Sequence, residues 1–345
     1  MKPKQFIFTI VFLGILIGAY MAWDYYQRIF APNVELGSSS VEFFIASNSD
    51  YSDVLHSLIT LEVITDSASF DWVAKRKKYP ELIKAGRYVI LDGMNNNQLV
   101  NLLRSGEQEP IRLILRPVRT KAELAANVAY YIEADSASMM ALLTDDAFCA
   151  QYGFNTTTIF TMFLPNTYEF YWNTTAEEFV VRMAREYKRF WNDERIAKAK
   201  ALNLSQSEIT TLASIVQSEQ AAKKDERPVV AGLYLNRLRR GMRLESDPTL
   251  IHAIGDFTIK RVLNVHKEIN SPYNTYKNAG LPPGPILLPE ISSIDAVLNA
   301  TNHNFLFMCA KEDFSGYHNF SSSYREHVNN AKRYQKELNR RKIYK

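Results

Sequence analysis

From Phe6 to Trp23 the chain carries no charged side chain, and roughly 18 such residues are enough for a helix to cross a hydrocarbon core. Whatever follows must fold on one side of that helix. Lys2 and Lys4 precede the run, Tyr20, Trp23, Tyr25 and Tyr26 crowd its far end, and Asp24 closes it. The positive-inside rule then places residues 1–5 in the cytoplasm, residues 6–23 in the cytoplasmic membrane and the rest outside. No small-x-small cleavage site follows the run, which favours a retained anchor over a removed signal peptide.

The 345 residues suffice for two or three domains. A formal charge of +4 suits an anionic polymer or surface, but no aromatic-basic strand pattern accompanies it, so no nucleic-acid partner is expected. Cys149 and Cys309 lack metal-ligand spacing; they could pair in an oxidising compartment, although Cys309 sits in the apolar run from Phe305 to Ala310 and reads as a buried thiol. His318, Glu326 and His327 fit no zinc pattern. Neither a glycine-rich phosphate loop nor a nucleophile elbow occurs, and no cofactor is expected.

Beyond a linker over residues 24–40, ending in a Ser/Gly stretch, the pattern predicts strands at 41–46, 86–91 and 111–116 with helices at 51–61, 67–78 and 97–104. This is a small α+β module over residues 41–116 whose element order resembles a LysM-like segment. Residues 120–150 read as short helices. The aromatic stretch from Phe163 to Trp172 suits either a sugar face or a core strand. Thr175 and Glu178 form a capping box opening a long helix through Trp191. Toward the C-terminus come a Pro/Gly-rich loop over 270–286, a helix at 292–300, two strands and a basic helix from Ser322 to about Lys342. The overall class is α+β, with residues 117–345 as the larger domain.

Its centre is the stretch from Ser205 to Gly255. Ser205 and Glu208 form a second capping box, predicting a helix to about Ala222 with Ile209, Leu212, Ala213 and Val216 inward. At about 100° per residue, Glu219 lies on the shoulder of that stripe and Ser218 points away. Loss of water there raises a carboxyl pKa, as a general acid near neutral pH requires. In the next helix, between Pro228 and Gly241, Val230, Leu233, Tyr234 and Leu238 make the inner face, and Arg237 projects among them and wants an anion, for which Glu219 or Asp247 could serve; alternatively it snorkels to solvent and merely pairs with Glu219.

The series Leu212-Ala-Ser-Ile-Val-x-x-Glu219, Glu226-Arg227, Ala231-Gly-x-x-x-Asn236-Arg237-Leu238, Gly241-Met-Arg-Leu, Asp247-Pro-Thr249, Ser271-Pro-Tyr273-Asn274-Thr275-Tyr, Gly280-Leu-Pro-Pro-Gly-Pro-Ile286, His318-x-Phe320-Ser321 and Glu326-His327 resembles the endolytic murein transglycosylase family, also known by the YceG-like domain name. The resemblance spans about residues 163–329, and the N-terminal anchor and small module agree with that family's layout. It implies that Glu219 is the catalytic glutamate. Many relatives carry a second glutamate two positions earlier, where this chain has Gln217; Ser323 stands where relatives more often have threonine.

The resemblance further implies a lyase acting on the glycan strands of peptidoglycan at the MurNAc-GlcNAc linkage, within strands, with wall-synthesis proteins as partners. A lone carboxylate suffices when the sugar's own C6 hydroxyl is the nucleophile. On this reading Glu219 is acid then base, Asn236, Tyr273, Asn274 and Thr275 hold the sugars, Arg237 and Asp247 orient the site, and the Pro-Pro-Gly-Pro loop walls the groove. Asp247 before Pro248 is also simply a helix start. A catalytically silent wall-binding scaffold and a murein hydrolase using water are the competing readings.

Overall fold

The protein, in a computed structural model, is described over residues 3–259 and 261–342. Lys2, half of the expected basic flank, and the last residues of the C-terminal basic run lie outside the described residues. The chain forms two compact units: Met1–Arg112 with Tyr131–Glu133 and Glu169–Thr174, and Leu113–Tyr130 with Ala134–Tyr168 and Thr175–Lys345.

In the first unit, α1 (Pro3–Phe30) does not stop at Asp24 but runs on for nearly two turns, with Arg28 paired to Asp24 at 2.9 Å across i, i+4. Ile7–Phe30 is long and apolar enough to cross a membrane, and most of its large side chains face outward. β1 (Ser40–Ile45), α2 (Tyr51–Thr60), α3 (Ser67–Arg76), β2 (Gly86–Leu91) and α4 (Asn96–Ser105) follow. β1 and β2 are antiparallel, Phe43 opposite Tyr88 and Ile45 opposite Gly86. Alternate residues Phe43, Ile45, Tyr88 and Ile90 point into a core completed by Leu58, Phe70, Leu99 and Leu103. Capping boxes at Asp50/Asp53 and Asn95/Gln98 start α2 and α4. The third strand expected in this module, β3 (Ile111–Ile114), does not join them; its partner is β4 (Thr167–Phe170), at the aromatic stretch.

The second unit is mainly helical. It comprises α5 (Lys121–Ala129), α6 (Ser136–Leu143), α7 (Asp146–Gln151), α8 (Ala176–Phe190), α9 (Asp193–Ala201), α10 (Gln206–Glu219), α11 (Arg227–Arg239), α12 (Asp247–Ile254), α13 (Ile291–Leu298) and α14 (Tyr324–Arg340). β5 (Phe307–Ala310) and β6 (His318–Ser321) form an antiparallel pair beside α14. The capping box of Thr175 and Glu178 starts α8, and Asn192 starts α9 by accepting from Arg195 N, a break that periodicity alone misses.

α10 is the hub of this unit. Every residue from Ile209 to Gln217 is buried, not just the predicted stripe. Thr210, Ser214 and Gln217 tolerate burial because each is satisfied: Thr210 Oγ1 donates to Gln206 O, Ser214 Oγ donates to Thr211 O and accepts from Ile286 N, and Gln217 Oε1 accepts from Glu290 N and Ser293 Oγ. Two of these contacts dock the Pro/Gly-rich loop and its sequel against α10. α10 ends at Glu219, one turn earlier than expected, where Gln220 leaves helical geometry at φ −130°, ψ 78°. Both cysteines are free, Cys149 buried and Cys309 half-buried.

Candidate active site

Glu219, the last residue of α10, lies in a cleft of about 320 Å³. Tyr234 from α11 donates to its Oε1 at 2.8 Å, and Ser246 Oγ donates to the same oxygen at 2.5 Å. Among the described residues no hydrogen bond engages Oε2. Burial raises the Glu219 carboxyl above its ordinary value against the pull of the two hydroxyl bonds; the charge of Asp247 adds to the rise and His318 opposes it. The result is a carboxyl whose protonated form is favoured by burial, hydrogen-bonded on one side only.

The surroundings explain how Ser246 is aimed. Ser246 is the N-cap of α12, yet its hydroxyl makes no capping bond. Its amide instead donates to Thr275 Oγ1 at 3.0 Å, its carbonyl accepts from Thr249 Oγ1, and the Thr249 and Thr275 hydroxyls meet at 2.8 Å. Thr275 is thus buried beneath the turn. Asn274 is 0% exposed and donates to the carbonyls of Lys267 and Ile269, while its Oδ1 accepts from Tyr276 N. Both were expected to meet sugar; instead their polar atoms are spent inside the fold, shaping the loop that supports the cleft.

Asn236 likewise turns to the backbone, donating to His303 O at 2.6 Å and Phe305 O at 3.2 Å. Tyr273 packs on His252, ring centroids 4.6 Å apart, and does not line the cleft. Arg237 does line the cleft but is 6% exposed, and its anion is neither Glu219 nor Asp247. The guanidinium pairs with Glu245 at 3.1 Å and donates to the carbonyls of Arg243, Leu244 and Leu306. Asp247 faces the same cleft as Glu219 and accepts from Tyr276 Oη at 2.6 Å. The Pro-Pro-Gly-Pro loop lines no part of this cleft.

Behind Glu219 lies a buried polar cluster that sequence reasoning left as isolated motifs. Glu226 accepts from His318 N at 2.8 Å through Oε1 and contacts His318 Nδ1 at 2.7 Å through Oε2, and the Gln220 amide donates to that same oxygen. Arg227, 1% exposed, donates to the carbonyls of Gln220 and Ala221 and to Glu290, Ser292 and Ser293. These bonds pin the chain just past Glu219 to α13. His327 stands elsewhere, stacked on Phe307, and no cluster of three His, Cys, Asp or Glu side chains suited to a metal occurs among the described residues.

Ser246 and Tyr276 had no reading of their own in the sequence, and Tyr234 was read only as an apolar face residue. A serine directly before Asp247-Pro248 is the signal that could have pointed to Ser246.

The model of the YceG-like family matches residues 43–333. The chain is 28% identical over 333 residues to the endolytic murein transglycosylase of Bacillus subtilis, covering 92% of this chain and 90% of that one. It is 26% identical over 339 residues to the endolytic murein transglycosylase of Streptococcus pneumoniae, covering 89% of this chain but 61% of the longer relative. A crystal structure of a yceG-like protein from Listeria monocytogenes superposes with a TM-score of 0.57 at 27% identity, over 84% of this chain and 98% of that one. With a family match across most of its length, this chain belongs to the YceG-like family.

Proposed function

We propose that this protein is a membrane-anchored lytic transglycosylase that cuts peptidoglycan glycan strands internally, leaving 1,6-anhydro-MurNAc ends. The observation that carries the reading is the Glu219 carboxyl, raised by burial, bonded through one oxygen to Ser246 and Tyr234 and set in an open cleft. The relatives named endolytic murein transglycosylase supply the substrate class.

Glu219 gives its proton to the glycosidic oxygen as the C1–O bond breaks, and the leaving sugar departs with a free hydroxyl. The resulting carboxylate takes the proton from the C6 hydroxyl of the same muramyl ring, whose oxygen closes on C1. The proton returns to Glu219 and no water is consumed. Ser246 and Tyr234 stabilise the charge that Glu219 carries between the two steps. Thr275 and Asn274 act by holding the turn that presents Ser246, Arg237 and Asn236 by fixing the segments that frame the cleft.

α1 serves as the anchor, with the chain that follows it outside the cytoplasm: its outward apolar side chains need lipid around them. The β1-α2-α3-β2 unit serves as a LysM-like wall-facing module, and proximity to wall-synthesis proteins would let cleavage end strand elongation.

Asp247 in the same cleft supports one further reading, hydrolysis, because glycosidases that use water need a second carboxylate. Mass spectrometry of ends released from nascent strands by the full chain separates the two, since hydrolysed ends are heavier by one water. Anhydro ends from the wild type, with a loss of about 10²-fold or more in Glu219→Gln, are expected. Equal product from both proteins would remove Glu219 from the reaction.

A further inference from the structure

The cleft holding Glu219 has a second wall that the proton transfers do not use. β5 contributes Phe307, and the first turn of α14 contributes Tyr324 and His327, three residues apart and therefore on one helix face. The rings form one cluster: Phe307 lies 5.9 Å from Tyr324 and 5.4 Å from His327 between centroids, and Tyr324 lies 6.3 Å from His327. The Arg237 guanidinium sits 5.4 Å from the Phe307 centroid, so the cluster is braced by the same arginine that ties Glu245 and Leu306 together.

Tyr324 is the exception in this cluster. It lines the cleft yet is 68% exposed, a large ring fixed at its base and open on its outer face. Its position is set by local chemistry, since Ser323 caps α14 by accepting from Glu326 N immediately before it. Beside it, burial and the Arg237 charge hold the His327 imidazole below its ordinary pKa, hence neutral. A rigid aromatic face next to a neutral imidazole matches a pyranose, which offers an apolar C–H face rimmed by hydroxyl and amide groups.

We propose that Tyr324, backed by Phe307 and His327, is a sugar-stacking subsite that seats a pyranose next to the linkage presented to Glu219. The proposal rests on the glycan-cleaving reading, and it assigns Tyr324 to binding rather than to proton transfer.

The test uses the full chain in detergent carrying Glu219→Gln, titrated with peptide-stripped peptidoglycan glycan strands. Adding Tyr324→Ala is expected to weaken binding about tenfold, and adding Tyr324→Phe to leave it within about twofold, because the ring and not the hydroxyl does the stacking. In the wild-type background Tyr324→Ala raises KM with kcat little changed. Unaltered affinity in Tyr324→Ala, or an equal loss in Tyr324→Phe, overturns the subsite. New chain ends in the Glu219→Gln mixture overturn the acid assignment alone, since the affinity ratio between parent and Tyr324→Ala, sharing that background, still decides the subsite. Failure of the parent to bind strands at all overturns both. Tyr324 is exposed, so folding of the variants is not at risk, and matching thermal midpoints check this.

Discussion

Ser246 Oγ donates to Glu219 Oε1 at 2.5 Å, so the residue that should cap α12 spends its hydroxyl on the carboxyl that ends α10. A free cap costs helix stability, and the diverted bond marks Ser246 as set for the carboxyl rather than for the helix. Tyr234 meets the same oxygen from α11.

Both bonds favour the ionised carboxyl, so removing either should raise the Glu219 pKa further. The rate falls with pH as the acid loses its proton, hence Ser246→Ala and Tyr234→Phe should each move the alkaline limb of the kcat/KM profile to higher pH. The optimum rate should fall by about 10²- to 10³-fold, as for loss of one charge-stabilising donor. A pH–rate series on strand cleavage measures both, and a stationary limb would show that these hydroxyls do not act on the ionisation.

Holding a buried carboxyl at Glu219 also has a cost in folding. Because burial raises its folded-state pKa above the unfolded value, the folded protein binds the proton more tightly. That contribution is fully present below the unfolded pKa and is lost as pH rises through the folded one. Glu219→Gln should therefore leave the thermal midpoint nearly unchanged at about pH 4 and raise it at about pH 8. Thermal unfolding at the two pH values reads the difference, and a lower midpoint at the higher pH would contradict it.

Arg227 is the counterpart, a buried cation that is fully used. Replacing it with methionine leaves the carbonyls of Gln220 and Ala221 without their donor and Glu290 with Lys224 as its cation, for an expected loss of about 2–5 kcal/mol in chemical denaturation. Burial pushes Glu290 up, but its bonds to Lys224 and Arg227 outweigh that and hold it down to about 2. A depressed carboxyl stabilises above its unfolded pKa and loses that stabilisation as pH falls toward the folded value. Glu290→Gln should accordingly flatten the acid side of the stability curve between about pH 4 and 2.

Gly232 lies mid-helix in α11, where the segment carrying Thr301 and His303 crosses it. A Cβ there would fall 2.3 Å from Thr301 O and 2.7 Å from His303 Nε2. Gly232→Ala should destabilise by about 1–3 kcal/mol despite alanine's better helix propensity, a sign reversal that equilibrium unfolding detects.

Much of this architecture was readable in one dimension. Capping pairs such as Thr175/Glu178 and Ser205/Glu208, and the left-handed glycines Gly241 and Gly255, act within a few residues, so helix starts and ends follow from local chemistry. The break at Asn192 was hidden because α8 and α9 are both helical and one capping side chain separates them. The site was legible in its odd member, Glu219, a carboxylate on the shoulder of an apolar face, and in the motif series around it.

Its partners were not. Tyr234 is 15 positions from Glu219 and Ser246 is 27, and Glu245 rather than Glu219 or Asp247 satisfies Arg237. Periodicity tells which face of a helix turns inward, but the atom a side chain meets depends on how two helices cross and where the intervening turn lands. That is why the residue order alone establishes the apolar N-terminal helix, the order of elements and the unusual carboxyl, whereas packing of α10 against α11, α12 and α13 decides that burial raises the Glu219 carboxyl, that Thr275 and Asn274 face inward, and that Tyr324 stands open in the cleft.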